Sequence, residues 1–363
     1  MRIAGWAVFA GLALAACTTT PRGGPPFPSE PPARPAPEPA RRVELSQLPG
    51  WAGEDHDAAF EAWRANCAVV RDRAVADLCF RARSVGEIAP GDGRSYLEAA
   101  FQAERVGGEG VLTAYFAPVY PARRQPDGEF SAPVRPKPAD LSTEAGAVVQ
   151  VLQGGATQLY PDRAAIDALP ADGALAWMRA EELFFLQVQG SGVLVFEDGR
   201  RMKALYAAHN GRTFAGIANP MRDQGLLARD NTSAEAIRGW LAAHRGPEAD
   251  AVMRLNPRYA FFRLAPDDGK PPVGAANVPL PRGRAVAVDP AFHAMGELLW
   301  IDADAPMLAG AFPRYRRLVS ALDTGGAIKG DVRADLYMGE GDAAGVEAGR
   351  VRHTLRMWRL VPR

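Results

Sequence analysis

The chain has 363 residues, 47% of them hydrophobic, enough for two packed domains rather than a disordered or fibrous protein. Its 42 Lys plus Arg match 42 Asp plus Glu, so no net positive field favours a polyanion, no run of basic residues supplies a local patch, and nucleic acid is not an expected partner.

Arg2 opens a short n-region, residues 4–16 (AGWAVFAGLALAA) form an apolar stretch, and Cys17 follows at once. That stretch is shorter than the roughly 20 residues a spanning helix needs, so 1–16 reads as an export signal. The ending "LAAC" resembles a bacterial lipobox, whose cysteine becomes the lipidated first residue; an ordinary cleavage site with a chance cysteine is the alternative. No aspartate follows Cys17 to mark inner-membrane retention, so the expected location is the periplasmic face of the outer membrane, held by a lipid anchor. Residues 18–41 carry nine prolines, which favours an extended tether reaching roughly 70 Å at about 3.1 Å per residue. Residues 17–44 are therefore assigned to the lipidated cysteine and its spacer.

From residue 57, "DAAFEAWRANC", "RDRAVADLCFRA" and "SYLEAAFQAERV" space apolar residues three and four apart, predicting short surface helices. Cys67 and Cys79 fall in this region. In an oxidising compartment they are a possible disulfide pair, but one continuous helix would hold them about 18 Å apart, so a bridge requires a break between them. Two buried thiols are the alternative. After Gly110, "VLTAYFAPVY" turns to strand, and the prolines that follow predict edge strands and loops. Residues 183–206, "LFFLQVQGSGVLVFEDGRRMKALY", predict a meander of hairpins. Thr232 and Glu235 form a capping box before a helix, and "RAVAVDP", "GELLWIDA", "RRLVSALD" and "HTLRMWRLV" read as strands. The fold class is mainly β, barrel or sandwich, with peripheral helices.

The five histidines lie far apart with no ligand spacing, so no metal is expected; no phosphate loop, dinucleotide motif or serine elbow occurs, so no cofactor is expected. Carboxylates remain. Asp323 ends the apolar run of Leu318, Val319, Ala321 and Leu322, where the chain opens into a loop; Gly325 and Gly326 permit a tight turn or close approach to a ligand. Asp335 starts the next apolar segment and should share a strand face with Tyr337. Turn and surface roles are the alternatives for both acids.

The stretch 323–339, "DTGGAIKGDVRADLYMG", closely resembles the signature of the membrane-bound lytic murein transglycosylase A family. The similarity continues through "GDAAGVEAGRVRHTLRMW" and includes "TAYFAPVY" (113–120), "FFLQVQGSG" (184–192), "YAAHNGRT" (206–213) and "NPRYAFFR" (256–263). "TAYFAP" is a loose version of the family's Gly-Tyr-Tyr-x-Pro, and His209 stands where the family usually has Gln.

The resemblance implies a double-psi β-barrel, residues 45–120 plus 256–363, interrupted by a smaller inserted β domain at 121–255 that forms the other wall of a glycan groove. It implies cleavage of peptidoglycan between N-acetylmuramic acid and N-acetylglucosamine without water, leaving 1,6-anhydro ends. Asp335 takes the single acid/base role and Asp323 a supporting one. Tyr115, Gln189, Ser191, Gly192, Tyr206, Asn210, Gly325, Gly326 and Lys329 are the candidate glycan contacts. Peptidoglycan strands are the expected partner, and other cell-wall enzymes are candidate partners. Because Asp335 must be protonated to act, neither Lys329 nor Arg333 is expected to pair with it directly; Lys329 is expected to pair with Asp323 or to bind sugar oxygens. Rival readings are an inverting hydrolase using Asp323 and Asp335, and a non-catalytic glycan-binding lipoprotein.

Overall fold

The computed structural model describes residues 42–304 and 314–363. The expected export signal, Cys17 and nearly all of the proline-rich tether lie outside the described residues.

The long strand Phe101–Ala117 runs parallel to Arg333–Glu340. Arg333–Glu340 pairs antiparallel with Ala285–Val288, which in turn runs parallel to Arg314–Thr324. From there the sheet continues through Leu298–Asp304 to Arg352–Pro362, and that last strand returns to Phe101–Ala117. The circuit is a closed six-stranded double-psi barrel with peripheral helices, so its central strands have no exposed edge.

Alternation explains why these strands read as continuous apolar runs. In Leu298–Asp304, Leu299, Ile301 and Ala303 fill the barrel interior with Leu112, Val286, Val319, Leu336 and Met357. Leu298 and Trp300 point outward, where they meet Phe60, Trp63 and Leu97 from the helices His56–Asn66 and Asp92–Ala100. Both faces of the strand are thus buried. The helical layer is pinned by a buried ion pair. Glu54 accepts from both terminal nitrogens of Arg284 at 3.0 and 3.2 Å and from the Leu318 amide at 2.6 Å.

A second sheet, in the order Ala260–Pro266, Arg201–His209, Ser191–Val195, Val119–Pro121, stands beside the barrel. Two of its strands, Val119–Pro121 and Ala260–Pro266, reach outside the expected span 121–255. Short two- and three-stranded sheets complete it.

Three local expectations are corrected. Residues 183–189 are not a strand but the end of the helix Ala180–Gln189. Leu183 and Leu186 pack on the second sheet while Phe184 packs into a helical cluster, so burial on two faces overrides the β propensity of the Phe and Val residues. Gly190, at φ 86°, closes the helix, its amide bonding the Leu186 carbonyl at 2.8 Å. The helix predicted over 95–106 stops at Ala100, because Phe101 onward pairs with the C-terminal strand. Ser233, not Thr232, caps the helix Ala234–Ala243, its hydroxyl accepting from Ala236 at 3.2 Å.

Cys67 and Cys79 are bridged, with Cα atoms 5.6 Å apart, which removes the two-thiol alternative. The required break is present: His56–Asn66 ends, a short 3₁₀ turn follows, and the next helix starts at Arg73. Closing a loop of this separation stabilises the fold by about 3 kcal/mol on the chain-entropy account. Cys79→Ser is therefore expected to lower the denaturant midpoint by that equivalent. Wild-type protein unfolded with reductant should match it, and an unchanged midpoint in both would remove the bridge from the stability of the helical layer.

Candidate active site

The barrel's register assembles the site. In the parallel pair of Arg333–Glu340 with Phe101–Ala117, Asp335 lies opposite Thr113 and Tyr337 opposite Tyr115. Residues facing each other in a ladder point to the same side of the sheet, so hydroxyl meets carboxyl and ring meets ring. The Tyr115 and Tyr337 rings are 5.4 Å apart. Ala287 is the register partner of Asp323 on one side and of Asp335 on the other. Two inter-strand steps separate the aspartate backbones by roughly 10 Å, with only a methyl group between them.

The two acids have different surroundings. Asp323 is held by three donors: Oδ1 accepts from the amides of Ala275 and Thr324, both at 2.9 Å, and Oδ2 accepts from the Tyr115 hydroxyl at 2.7 Å. Among the described residues Asp335 receives one donor, the Thr113 hydroxyl, on Oδ1. Arg333 donates to the same Thr113 oxygen at 2.8 Å and to the carbonyls of Val111 and Ala334. A guanidinium cannot accept, so the Thr113 proton is not spent on Arg333 and is donated to Asp335 Oδ1. That makes Oδ1 an acceptor and leaves Oδ2 as the oxygen that carries the acid proton.

Burial raises the pKa of Asp335 above the usual carboxylate range; the Thr113 bond and the Arg333 charge pull the other way, and Asp323 adds a further push upward. Burial also raises Asp323, against the donors Tyr115, Ala275 and Thr324. Tyr115 is held well above its ordinary value by burial and by the Asp323 charge, so its hydroxyl stays protonated and donating.

A cleft of about 710 Å³ opens over these residues between the barrel and the second sheet. Of the residues singled out from the sequence, Asp323, Asp335, Tyr115, Gln189, Ser191, Tyr206, Gly325 and Gly326 line it. Gln189 accepts from the Phe116 amide at 3.1 Å, which ties the helix end to the barrel strand. Three expected contacts lie outside the lining. Gly192 is buried where a side chain would strike Leu186 and the Pro118 carbonyl. Asn210 is buried and spends its amide on the carbonyls of Pro161 and Pro257. Lys329 is exposed and pairs with Asp289 at 3.5 Å, not with Asp323. As expected, neither Lys329 nor Arg333 forms an ion pair with Asp335; Arg333 reaches it through Thr113.

At Gly326 a β-carbon would sit 3.3 Å from Cζ of Arg258. Sequence reasoning missed Thr113, Arg258 and the cleft role of His209. Thr113 and Arg258 stand inside quoted motifs, but only the register and the loop path reveal what they touch. His209 Nδ1 accepts from the Gly211 amide at 2.8 Å, and burial together with Arg258 lowers its pKa to about 4. It is a neutral imidazole with its proton on Nε2.

Residues 111–263 match the sequence model of the MltA specific insert domain, and 284–361 match that of the 3D domain. The membrane-bound lytic murein transglycosylase A of Vibrio cholerae is 32% identical over 285 residues, 74% of this chain and 72% of the relative. The chain belongs to the membrane-bound lytic murein transglycosylase A family. The Escherichia coli member is 33% identical over 258 residues, covering 69% of this chain and 65% of its own length. Among solved structures, a membrane-bound lytic murein transglycosylase from Agrobacterium tumefaciens superposes with a TM-score of 0.79 at 32% identity, covering 88% of this chain and 97% of that one. E. coli MltA with bound chitohexaose matches at a TM-score of 0.67 and 28% identity, covering 90% and 95%.

The orientation of the Thr113 proton has a measurable consequence for this family member. Thr113→Val removes a donor that favours ionised Asp335, so the carboxyl should titrate at higher pH than in wild type when followed by carbon-13 NMR. A midpoint that stays put or falls would show that the hydroxyl does not donate to Asp335.

Proposed function

We propose that this protein cleaves the β-1,4 bond between N-acetylmuramic acid and N-acetylglucosamine of peptidoglycan without water, leaving 1,6-anhydro ends. The observation that carries this reading is the asymmetry of the two acids. Asp335 has a pKa raised by burial and an unbonded Oδ2, while Asp323 has both oxygens committed to three donors. An inverting hydrolase needs a second carboxylate free to take a proton from water. Asp323 is instead held by its three donors, which stabilise its carboxylate form and favour a supporting role over that of proton acceptor.

One carboxyl suffices for the lyase route. Oδ2 of Asp335 gives its proton to the glycosidic oxygen as the C1–O bond breaks. The C6 hydroxyl of the same muramic acid then attacks C1, and its proton goes to the Asp335 carboxylate, which restores the acid. The nucleophile is already part of the substrate, so the closure has the advantage of an intramolecular reaction, up to about 7–11 kcal/mol in ideal cases. Sugar filling the cleft displaces water and raises the pKa of Asp335 further. The half-exposed Tyr206 ring and the amide of Gln189 give the glycan a flat apolar surface and a polar contact. The chitohexaose bound to the E. coli relative supports a glycan as occupant.

The reading extends to location. Cys17, after an apolar stretch too short to span a bilayer, is the lipidated first residue, and residues 18–41 let the catalytic unit reach from the outer membrane into the wall.

Digestion of purified sacculi in oxygen-18 water, followed by mass spectrometry, tests the chemistry. The expected products are anhydro-muropeptides without label; label at new reducing ends would make the protein a hydrolase. Asp335→Asn should cut the rate by about 10²–10⁴-fold while glycan binding persists. Asp323→Asn should cost less, because it removes support and not the proton carrier. Undiminished lysis by Asp335→Asn would overturn the assignment.

A further inference from the structure

Four arginines, Arg163, Arg258, Arg263 and Arg333, line the cleft against two aspartates, in a chain whose formal charge is zero. Arg333 is used up by Thr113 and two carbonyls. Arg163, Arg258 and Arg263 form no ion pair among the described residues, whereas Arg254, nearby in sequence, pairs with Asp167 at 3.5 Å.

Arg258 stands out for how firmly its backbone is held. Arg163 donates to the carbonyls of Asn256 at 3.0 Å and Arg258 at 2.7 Å, and its amide donates to the Pro257 carbonyl at 3.0 Å. The Asn256 side chain accepts from the Arg258 amide at 3.2 Å, and Asn210 accepts from the Tyr259 amide at 2.9 Å. Most polar backbone groups of 256–259 are thus fixed by side chains. From this clamp the Arg258 guanidinium extends to the barrel loop, lying against Gly326, three residues from Asp323. Among the described residues its guanidinium makes one hydrogen bond, to the Arg212 carbonyl at 3.3 Å, so most of its donors are without a protein partner there, and the residue lines the cleft. Burial lowers its pKa, the mark of a cation held without a compensating anion.

The sugars of a glycan strand offer neutral hydroxyl and acetamide groups. Carboxylates occur only on the lactyl ether of muramic acid or on the peptide stem attached there. We infer that Arg258, clamped by Arg163 and Asn210, is a carboxylate subsite beside the scissile position that takes the anionic substituent of muramic acid. This rests on the transglycosylase reading for the identity of the strand, and it makes the enzyme discriminate between muramic-acid substituents as well as sugars. A planar guanidinium suits the task, since its fork matches a carboxylate bidentately.

The full-length protein carrying Asp335→Asn, with and without Arg258→Gln, should be titrated calorimetrically with three ligands. These are peptide-bearing strand fragments, amidase-stripped fragments whose lactyl carboxylate is free, and chitohexaose, which has no carboxylate. Loss of a charge-assisted hydrogen bond is expected to weaken a carboxylate-bearing ligand about ten- to a hundredfold, with chitohexaose unchanged. A loss confined to peptide-bearing strands assigns the stem, and one confined to stripped strands assigns the lactyl group. Arg258→Lys should recover part of the affinity. Equal weakening of all three ligands, or no weakening of any, overturns the subsite. These binding arms do not depend on product chemistry, so a wild-type enzyme that proved hydrolytic would refute the lyase reading and leave the subsite standing or falling on its own data.

Discussion

The site depends on one packing constraint, that Ala287 sits in register between two aspartates carried by consecutive strands that pair with Ala285–Val288 and not with each other. Closing the barrel places Arg314–Thr324 and Arg333–Glu340 on either side of Ala285–Val288. A side chain larger than methyl at 287 would fill the gap over which the acids face the cleft. The parallel neighbour Phe101–Ala117 then supplies Thr113 to one acid and Tyr115 to the other from alternate positions of a single strand. Two residues of spacing on that strand thereby divide the acids between them.

Electrostatics sharpen that division. A guanidinium placed directly on Asp335 would favour the ionised form and hold the acid below the range where it can donate. Arg333 is close enough to exert some of that pull, yet its donors are absorbed by Thr113 and by carbonyls. Its geometric role is to fix the Thr113 rotor, which in turn decides which oxygen of Asp335 carries the proton. The cation orients the acid through a neutral hydroxyl.

Much of this was legible in the sequence. The apolar runs ending at Asp323 and beginning near Asp335 gave both strand positions, and alternation put Asp335 on the face of Tyr337, as found. What stayed hidden was non-local. The sequence 183–189 has strand composition, and only its burial between a sheet and a helical cluster makes it helix. Asn210 stands in a family motif and looked like a sugar contact, but its polarity is spent on backbone. Lys329 sits between the two acids in sequence, yet Asp289, forty residues earlier, is its partner in space. Polar residues near a site either touch the ligand or hold the chain that does, and composition does not separate the two cases.

The cleft's two walls are continuous in a way that bears on how it works. The barrel strand that carries Thr113 and Tyr115 ends at Ala117, and the chain enters the second sheet at Val119 with only Pro118 between. Val119–Pro121 runs parallel to Ser191–Val195, so Ser191 at the cleft edge is indexed to the same stretch of chain as the acids' partners. Gln189 bonds back to Phe116, and Arg258 crosses from the second sheet's side to lie against Gly326. Three connections at separate points brace the walls against each other, which favours a preformed groove over one that closes around its substrate. In such a groove the alignment of C1, the C6 hydroxyl and Asp335 Oδ2 is set by where the strand seats, so contacts away from the broken bond act on the chemistry through position.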